Sequence, residues 1–124
     1  MDVGQSVNPM IDIGQIEGAF MQGVGWVTCE ELLYGQKIVD GKVVKTGRYI
    51  STGPGNYKIP SIFDVPNEFN VHLLKNQNNE KIVFGSKGVG EPPLCLGICA
   101  FLALRDTVGC DVQLPATVMN VFNK

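Results

Sequence analysis

The sequence predicts an α+β fold in which helices pack on short, mostly antiparallel strands. Apolar residues recur at three- and four-residue intervals between about positions 12 and 33, which is the spacing of one helix face. A second apolar segment, positions 94 to 109, has the length of another helix. Between them lie short β-branched runs and turn residues, without the regular strand and helix alternation of a parallel sheet. With 124 residues, the chain is expected to form one domain, residues 1–124.

The first helix is predicted from about Asp12 to Leu33. Phe20, Met21 and Trp26 are assigned to its core-facing side, as large apolar side chains usually are. The helix also contains four glycines, each of which costs about 1 kcal/mol relative to alanine. So many glycines indicate that something packs very close to the helix backbone. The alternative is ordinary tight packing against another helix. These glycines are Gly14, Gly18, Gly23 and Gly25.

The middle of the chain is predicted to contain hairpins and an irregular connection. In "KIVDGKVVKT", two β-prone triplets flank Asp40-Gly41, a dipeptide that tolerates the positive φ angles of a type I′ turn. Residues 51–69 carry three prolines and two glycines, so an ordered, irregular connection is expected. Residues 68–75 and 81–85 are predicted to form strands joined by the polar turn 76–80. His72, the only histidine, is expected at the surface.

The second helix is predicted to be buried on all sides, because "LCLGICAFLALRDTVG" is apolar almost throughout. Pro92 suits the first position of a helix, and Gly109 suits its end. One more helical turn is expected after Pro115.

Composition excludes several classes of function. A formal charge of −2 with no basic block argues against a nucleic-acid partner. No apolar run reaches the roughly 18 residues needed to cross a membrane, and the start lacks the pattern of a signal peptide. A cytoplasmic protein with reduced, buried thiols is therefore expected rather than one with disulfides. The four cysteines are Cys29, Cys95, Cys99 and Cys110. Because free cysteines are usually buried apolar residues, they are not expected to form a metal site, and no metal ligand is predicted in the chain.

The stretch "SKGVGEPPL", residues 86–94, has the makings of a site. Glu91 would stand at the N-terminal end of the second helix, where the helix dipole favours an ionised carboxylate, while an apolar pocket would raise its pKa. Gly88 and Gly90 remove side chains just before it, so a ligand can approach the backbone amides. The alternative is that Glu91 only caps the helix. These physical arguments leave both interpretations open.

Three long motifs, in one order, resemble the xanthine dehydrogenase/aldehyde oxidase family of molybdenum hydroxylases. They are "DVGQSVNPMIDIGQIEGAFMQGVGWVTCEELLY", "YKIPSIFDVPNEFNV" and "SKGVGEPPLCLGICAFLALRD". The resemblance spans nearly the whole chain and places it in the last part of the molybdenum-cofactor (molybdopterin)-binding region.

The resemblance implies a role for each residue that matches a family motif. Glu91 would be the catalytic base beside molybdenum, in the hydroxylation of a purine, another N-heterocycle or an aldehyde with water as the oxygen source. Gln15 would hydrogen-bond the pterin cofactor, and the backbone of Val89 and Gly90 would run beside it. A solvent-facing helix residue is the alternative for Gln15.

The resemblance also implies large partners, because family members carry FAD and 2Fe-2S clusters in regions outside the matched segment. The remainder of such an enzyme would supply most of the active site, and a homodimer of the family type is compatible with the sequence. The ending "VMNVFNK" departs from the family pattern. A non-catalytic remnant or an accessory subunit that retains the fold is therefore the alternative function, and the isolated chain is expected to be inactive.

Overall fold

A long helix and a shorter one, which run in the same direction, form the centre of the fold. The computed structural model describes residues 1–75, 81–109 and 111–122. The predicted α+β class is confirmed by three α-helices and one antiparallel pair of strands in these residues. In chain order the elements are α1 (Pro9–Thr28), β1 (Tyr34–Val39), β2 (Lys42–Tyr49), α2 (Ile98–Val108) and α3 (Val118–Phe122). Three short 3₁₀ helices also occur, at Ile62–Asp64, Val83–Gly85 and Pro92–Gly97.

Helix α1 begins and ends earlier than the sequence predicted. The side chain of Asn8 accepts hydrogen bonds from the amides of Met10 and Ile11, and Pro9 follows it, so the helix is capped before Asp12. At the other end, the Leu33 amide donates to the Ser51 hydroxyl at 2.9 Å. Leu33, directly before β1, is therefore bonded to the base of the hairpin and is not part of α1.

Two of the four glycines of α1 allow another segment to touch its backbone. A Cβ atom on Gly23 would overlap the carbonyl oxygen of Leu94, and one on Gly25 would lie 2.5 Å from the Pro60 ring. Around Gly14 and Gly18, apart from adjacent residues and the helix's own backbone, no atom of the described residues lies within 4 Å of the same position. The prediction of close packing is therefore confirmed for the C-terminal half of α1 and wrong for its N-terminal half.

The predicted hairpin is confirmed. Strand β1 pairs antiparallel with β2, with Ile38 opposite Val43 and Val39 opposite Lys42. At the turn, Asp40 and Gly41 have φ angles of 50° and 76°, as a type I′ turn requires. Every residue of β2 is exposed.

The prediction of strands at 68–75 and 81–85, both of which the structure describes, is wrong. Each segment instead hydrogen-bonds to the N-terminal segment, residues 1–5: the Leu74 amide donates to Met1, and the Gln5 amide donates to Gly85. Val83–Gly85 forms a 3₁₀ helix in which Phe84 has a positive φ of 53°. The connection at 51–69 is irregular as expected, the predicted turn at 76–80 lies outside the described residues, and His72 is exposed as predicted.

The second helix forms, but it is not buried on all sides. The segment starts as the 3₁₀ helix Pro92–Gly97 and continues as α2, which ends at Gly109 with a φ of 104°, as predicted. Phe101 is buried, whereas Leu96 and Ile98 are 57% and 50% exposed. One face packs on α1, and the described residues supply no element to cover the other. The helical turn predicted after Pro115 is confirmed as α3.

In the described residues, two small apolar clusters, one around the middle of α1 and one at its C-terminal end, make up the core. One contains Val3, Ile16 and Val89, and the other contains Val27, Phe101, Val112 and Ala116. Trp26 does not join them and is 66% exposed, so its assignment to the core was wrong. Phe20 is half-buried and packs against the ring of Phe69 with centroids 5.3 Å apart. No helix in the described part of the chain is long and apolar enough to cross a membrane.

Candidate functional site

The loop before the second helix, residues 86–90, is held against α1 by a buried valine. Val89 packs with Val3 and Ile16 in the first apolar cluster. Ile16 lies on α1, so this contact fixes the height of the loop along the helix. Because Gln15 directly precedes Ile16, the loop and the Gln15 side chain are brought to the same turn of α1.

The Gln15 side chain lies close to Gly90. A Cβ atom on Gly90 would stand 3.1 Å from the side-chain oxygen of Gln15, so a larger residue there would require the Gln15 side chain to move. The Gln15 residue is exposed, and nothing lies within 4 Å of the corresponding position at Gly88. The structure thus brings together three of the residues selected from the sequence, namely Gln15, Val89 and Gly90.

Glu91 follows at the N-terminal end of the helical segment. It occupies the cap position, but its carboxylate makes no capping hydrogen bond. Pro92 follows at the helix start and Pro93 is fully buried, so the backbone is rigid on the C-terminal side of Glu91. The capping interpretation requires the Glu91 carboxylate to accept a hydrogen bond from a backbone amide at the helix start. The carboxylate is instead exposed and makes no such bond.

This arrangement suits a flat polar heterocycle such as a pterin. The carboxamide of Gln15 offers both donors and an acceptor, and it stands beside the bare backbone of Gly90. The space that a Cβ on Gly90 would fill lets a ligand reach the main chain. The residues present therefore offer hydrogen-bonding groups that fit the pterin part of a molybdenum cofactor, and Glu91 is the next residue along the chain.

An ion pair that the sequence analysis missed joins the loop to the N-terminal segment. The Nζ of Lys87 lies 2.9 Å from Oδ2 of Asp2. The two residues are 85 positions apart, so no local spacing could have indicated the contact.

The cysteines are less buried than predicted. Cys95 and Cys99 are exposed and Cys29 is half-buried, and all three are free thiols. Burial raises the pKa of the Cys29 thiol, which makes it a weaker nucleophile at neutral pH. Cys110 lies outside the described residues. In the part of the chain that the structure describes, no group of three potential metal-ligating side chains occurs.

Comparison with known proteins links the chain to molybdenum enzymes. A family model described as a molybdopterin cofactor-binding domain matches residues 1–66. Xanthine dehydrogenase 2 of Arabidopsis thaliana is 52% identical over 108 residues, which is 87% of this chain and 8% of that protein. Xanthine dehydrogenase of Drosophila subobscura is 51% identical over 113 residues, covering 91% of this chain and 8% of that protein. The chain thus spans less than a tenth of the curated relatives it matches.

Solved structures give the same picture of the fold. Quinoline 2-oxidoreductase from Pseudomonas putida 86 superposes with a TM-score of 0.73 at 28% identity, over 98% of this chain and 15% of that one. The Cu,Mo-CO dehydrogenase superposes with a TM-score of 0.66 at 21% identity, also over 98% of this chain and 15% of that one. The second likeness concerns the fold alone.

Proposed function

This chain belongs to the xanthine dehydrogenase/aldehyde oxidase family, in its molybdopterin-binding region, and from this premise we propose that residues 1–124 are the C-terminal segment of a molybdenum-cofactor-binding domain. The whole protein would hydroxylate purines, other N-heterocycles or aldehydes, with water as the oxygen source. The observation that supports this most directly is the contact of Gln15 with Gly90, next to a glutamate that does not cap its helix.

Each residue of the site has a role that its geometry suits. Val89 anchors the loop, the bare backbone at Gly90 admits the cofactor, and Gln15 orients it through its amide. Glu91 acts as the general base that takes up and releases the proton. When bound, the molybdenum cofactor supplies the redox centre that takes up the electrons of the hydroxylation.

The chain spans only 8% of the xanthine dehydrogenases it resembles, so the rest of such an enzyme is its expected partner. We place the electron-transfer groups, FAD and 2Fe-2S clusters, in regions outside these residues. The remainder of the hydroxylase would cover the exposed faces of the segment, and the active form would be cytoplasmic and dimeric. The substrate would be a small molecule bound between this segment and that remainder.

The first experiment is to isolate the native protein that carries this sequence with an antibody raised against it. The subunit mass and the molybdenum content per chain are then measured. A large polypeptide or complex with about one molybdenum per chain is the expected result. A small free protein without molybdenum would instead support the remnant or accessory subunit.

The role of Glu91 is tested by Glu91→Gln in that full-length protein. Loss of a general base lowers kcat by about 10²- to 10⁴-fold, while molybdenum content should stay at the wild-type level because Gln15 and Gly90 are untouched. Glu68→Gln is a matched control, since it removes an exposed carboxylate from the irregular connection. Wild-type turnover in Glu91→Gln would refute the proposed role.

A further inference from the structure

We propose that Asp2 and Lys87 are positioning residues for Glu91: their ion pair locks the N-terminal segment onto the loop and thereby sets where the Glu91 carboxylate stands relative to Gln15. The inference rests on the proposed function of Glu91. It adds two residues, at opposite ends of the sequence, that would act through the loop and need not touch cofactor or substrate.

Backbone hydrogen bonds join residues 3–5 of the N-terminal segment to residues 85–87, and we call this short pairing the clasp. The Gln5 amide donates to the Gly85 carbonyl at 2.7 Å, and the Lys87 amide donates to the Val3 carbonyl at 2.9 Å. Gly4 faces Ser86 in an antiparallel bridge. These bonds are few, so the clasp is a short structure that benefits from a side-chain lock.

The ion pair closes this clasp at its edge. Lys87 Nζ lies 2.9 Å from Asp2 Oδ2, and the two side chains are only 26% and 30% exposed. The other oxygen of Asp2 accepts the Gly4 amide at 2.9 Å, which orients the carboxylate. Gly4 itself has a φ of 60°, and a Cβ there would overlap the Gly85 carbonyl. The close approach of the N-terminal segment to residues 85–87 therefore requires a glycine at position 4.

The position of the clasp is transmitted to the site through a short path. Val89, two residues after Lys87, is buried against Val3, so the N-terminal segment contacts the loop twice. Gly88 and Gly90 interrupt this path with flexible backbone. Without the clasp, the contact of Val89 with Ile16 would be left to hold the loop on the N-terminal side of Glu91, while the prolines restrain the other side.

The test uses Asp2→Asn, Lys87→Met and the double variant in the full-length molybdenum protein. Each single variant is expected to lower kcat about tenfold, since small displacements of a catalytic group are costly, with KM and molybdenum content within about twofold of wild type. The double variant should lose less than the sum of the two single losses, because both single variants remove the same ion pair. Lys87→Arg, which keeps the charge, should restore most of kcat. Unchanged kcat in both single variants, or additive losses in the double, would overturn the proposal.

The pH profile separates positioning from a direct effect of charge. Asp2→Asn removes a negative charge from the clasp, and Lys87→Met removes a positive one. If the two substitutions acted through their charges alone, they would move the acid limb of kcat/KM in opposite directions. Positioning predicts that both lower kcat and leave the acid limb in place. Opposite shifts would contradict the inference.

Hydrogen exchange gives a readout that does not depend on turnover. Loss of a partly exposed ion pair should raise the exchange rate of the Gln5 and Lys87 amides by up to about fivefold in both single variants. Exchange at wild-type rates would show that the pair does not hold the clasp. Glu91→Gln in the same protein keeps the two hypotheses apart: if it is inactive while the clasp variants are fully active, the proposed function stands and only the positioning role fails.

Discussion

Gly90 is the residue at which the loop backbone comes closest to the Gln15 side chain. Its missing side chain is what allows the Gln15 amide to stand beside the loop, since a Cβ atom would lie 3.1 Å from the Gln15 oxygen. Such a separation is tighter than ordinary van der Waals contact, so the Gln15 side chain would have to shift. A glycine here therefore protects the orientation of another residue as well as the access to its own backbone.

Gly90→Ala is expected to weaken cofactor binding about threefold to tenfold, because forcing Gln15 off its rotamer costs about 0.5–1.5 kcal/mol. The measurement is the molybdenum retained per chain of the full-length protein after prolonged dialysis. Gly55→Ala serves as the matched control, since nothing lies within 4 Å of its Cβ position and it stands in the irregular connection. Full retention of molybdenum in Gly90→Ala would show that the Gln15 orientation does not matter for binding.

At the scale of elements, α1 and the helical segment after Glu91 are interlocked through glycines. Gly23 and Gly97 face each other so closely that a Cβ on either would overlap the backbone of the other segment. Val27 and Phe101 then continue the contact one turn further on. This packing sets the height of Glu91 along α1, so the site depends on contacts that lie outside it.

Gly23→Ala should destabilise the 124-residue chain by about 3 kcal/mol or more, because the added methyl overlaps backbone that cannot move aside. Urea unfolding followed by circular dichroism gives the free energy. Gly18→Ala is the control within the same helix: its Cβ position is open, so alanine should stabilise by up to about 1 kcal/mol. Equal effects of the two substitutions would mean that the interlock is absent in solution.

Local signals predicted the elements whose cause is local. Asp40-Gly41 specifies its turn by φ angles alone, and Gly109 ends α2 in the same way. Residues 68–75 and 81–85 were misassigned because their hydrogen-bond partner is the N-terminal segment, which no spacing rule indicates. The contact of Gln15 with Gly90 joins residues far apart in the sequence, so only the family resemblance selected both.

The whole molecule has far more surface than a chain of its size needs. Its accessible surface is 9481 Å², whereas a folded monomer of this mass exposes about 6,500 Å². The difference, about 3,000 Å², is more than the roughly 1,000–2,500 Å² that one partner contributes to most obligate interfaces. Large apolar side chains contribute to it, including Phe63 at 95% exposed and Phe84 at 84%. The excess agrees with a segment that is covered by the remainder of a larger enzyme.

The isolated 124-residue chain is therefore expected to self-associate, since apolar patches of this extent drive association. Sedimentation velocity at micromolar concentration should show species larger than the monomer. Leu96→Glu combined with Ile98→Glu places two charges on the uncovered face of the second helical segment and should raise the monomer fraction. Gln36→Glu with Gln113→Glu adds the same charge at polar exposed positions and should change it little. A chain that sediments as a monomer without substitution would mean that the excess surface does not drive association, and the helix face would then need no partner.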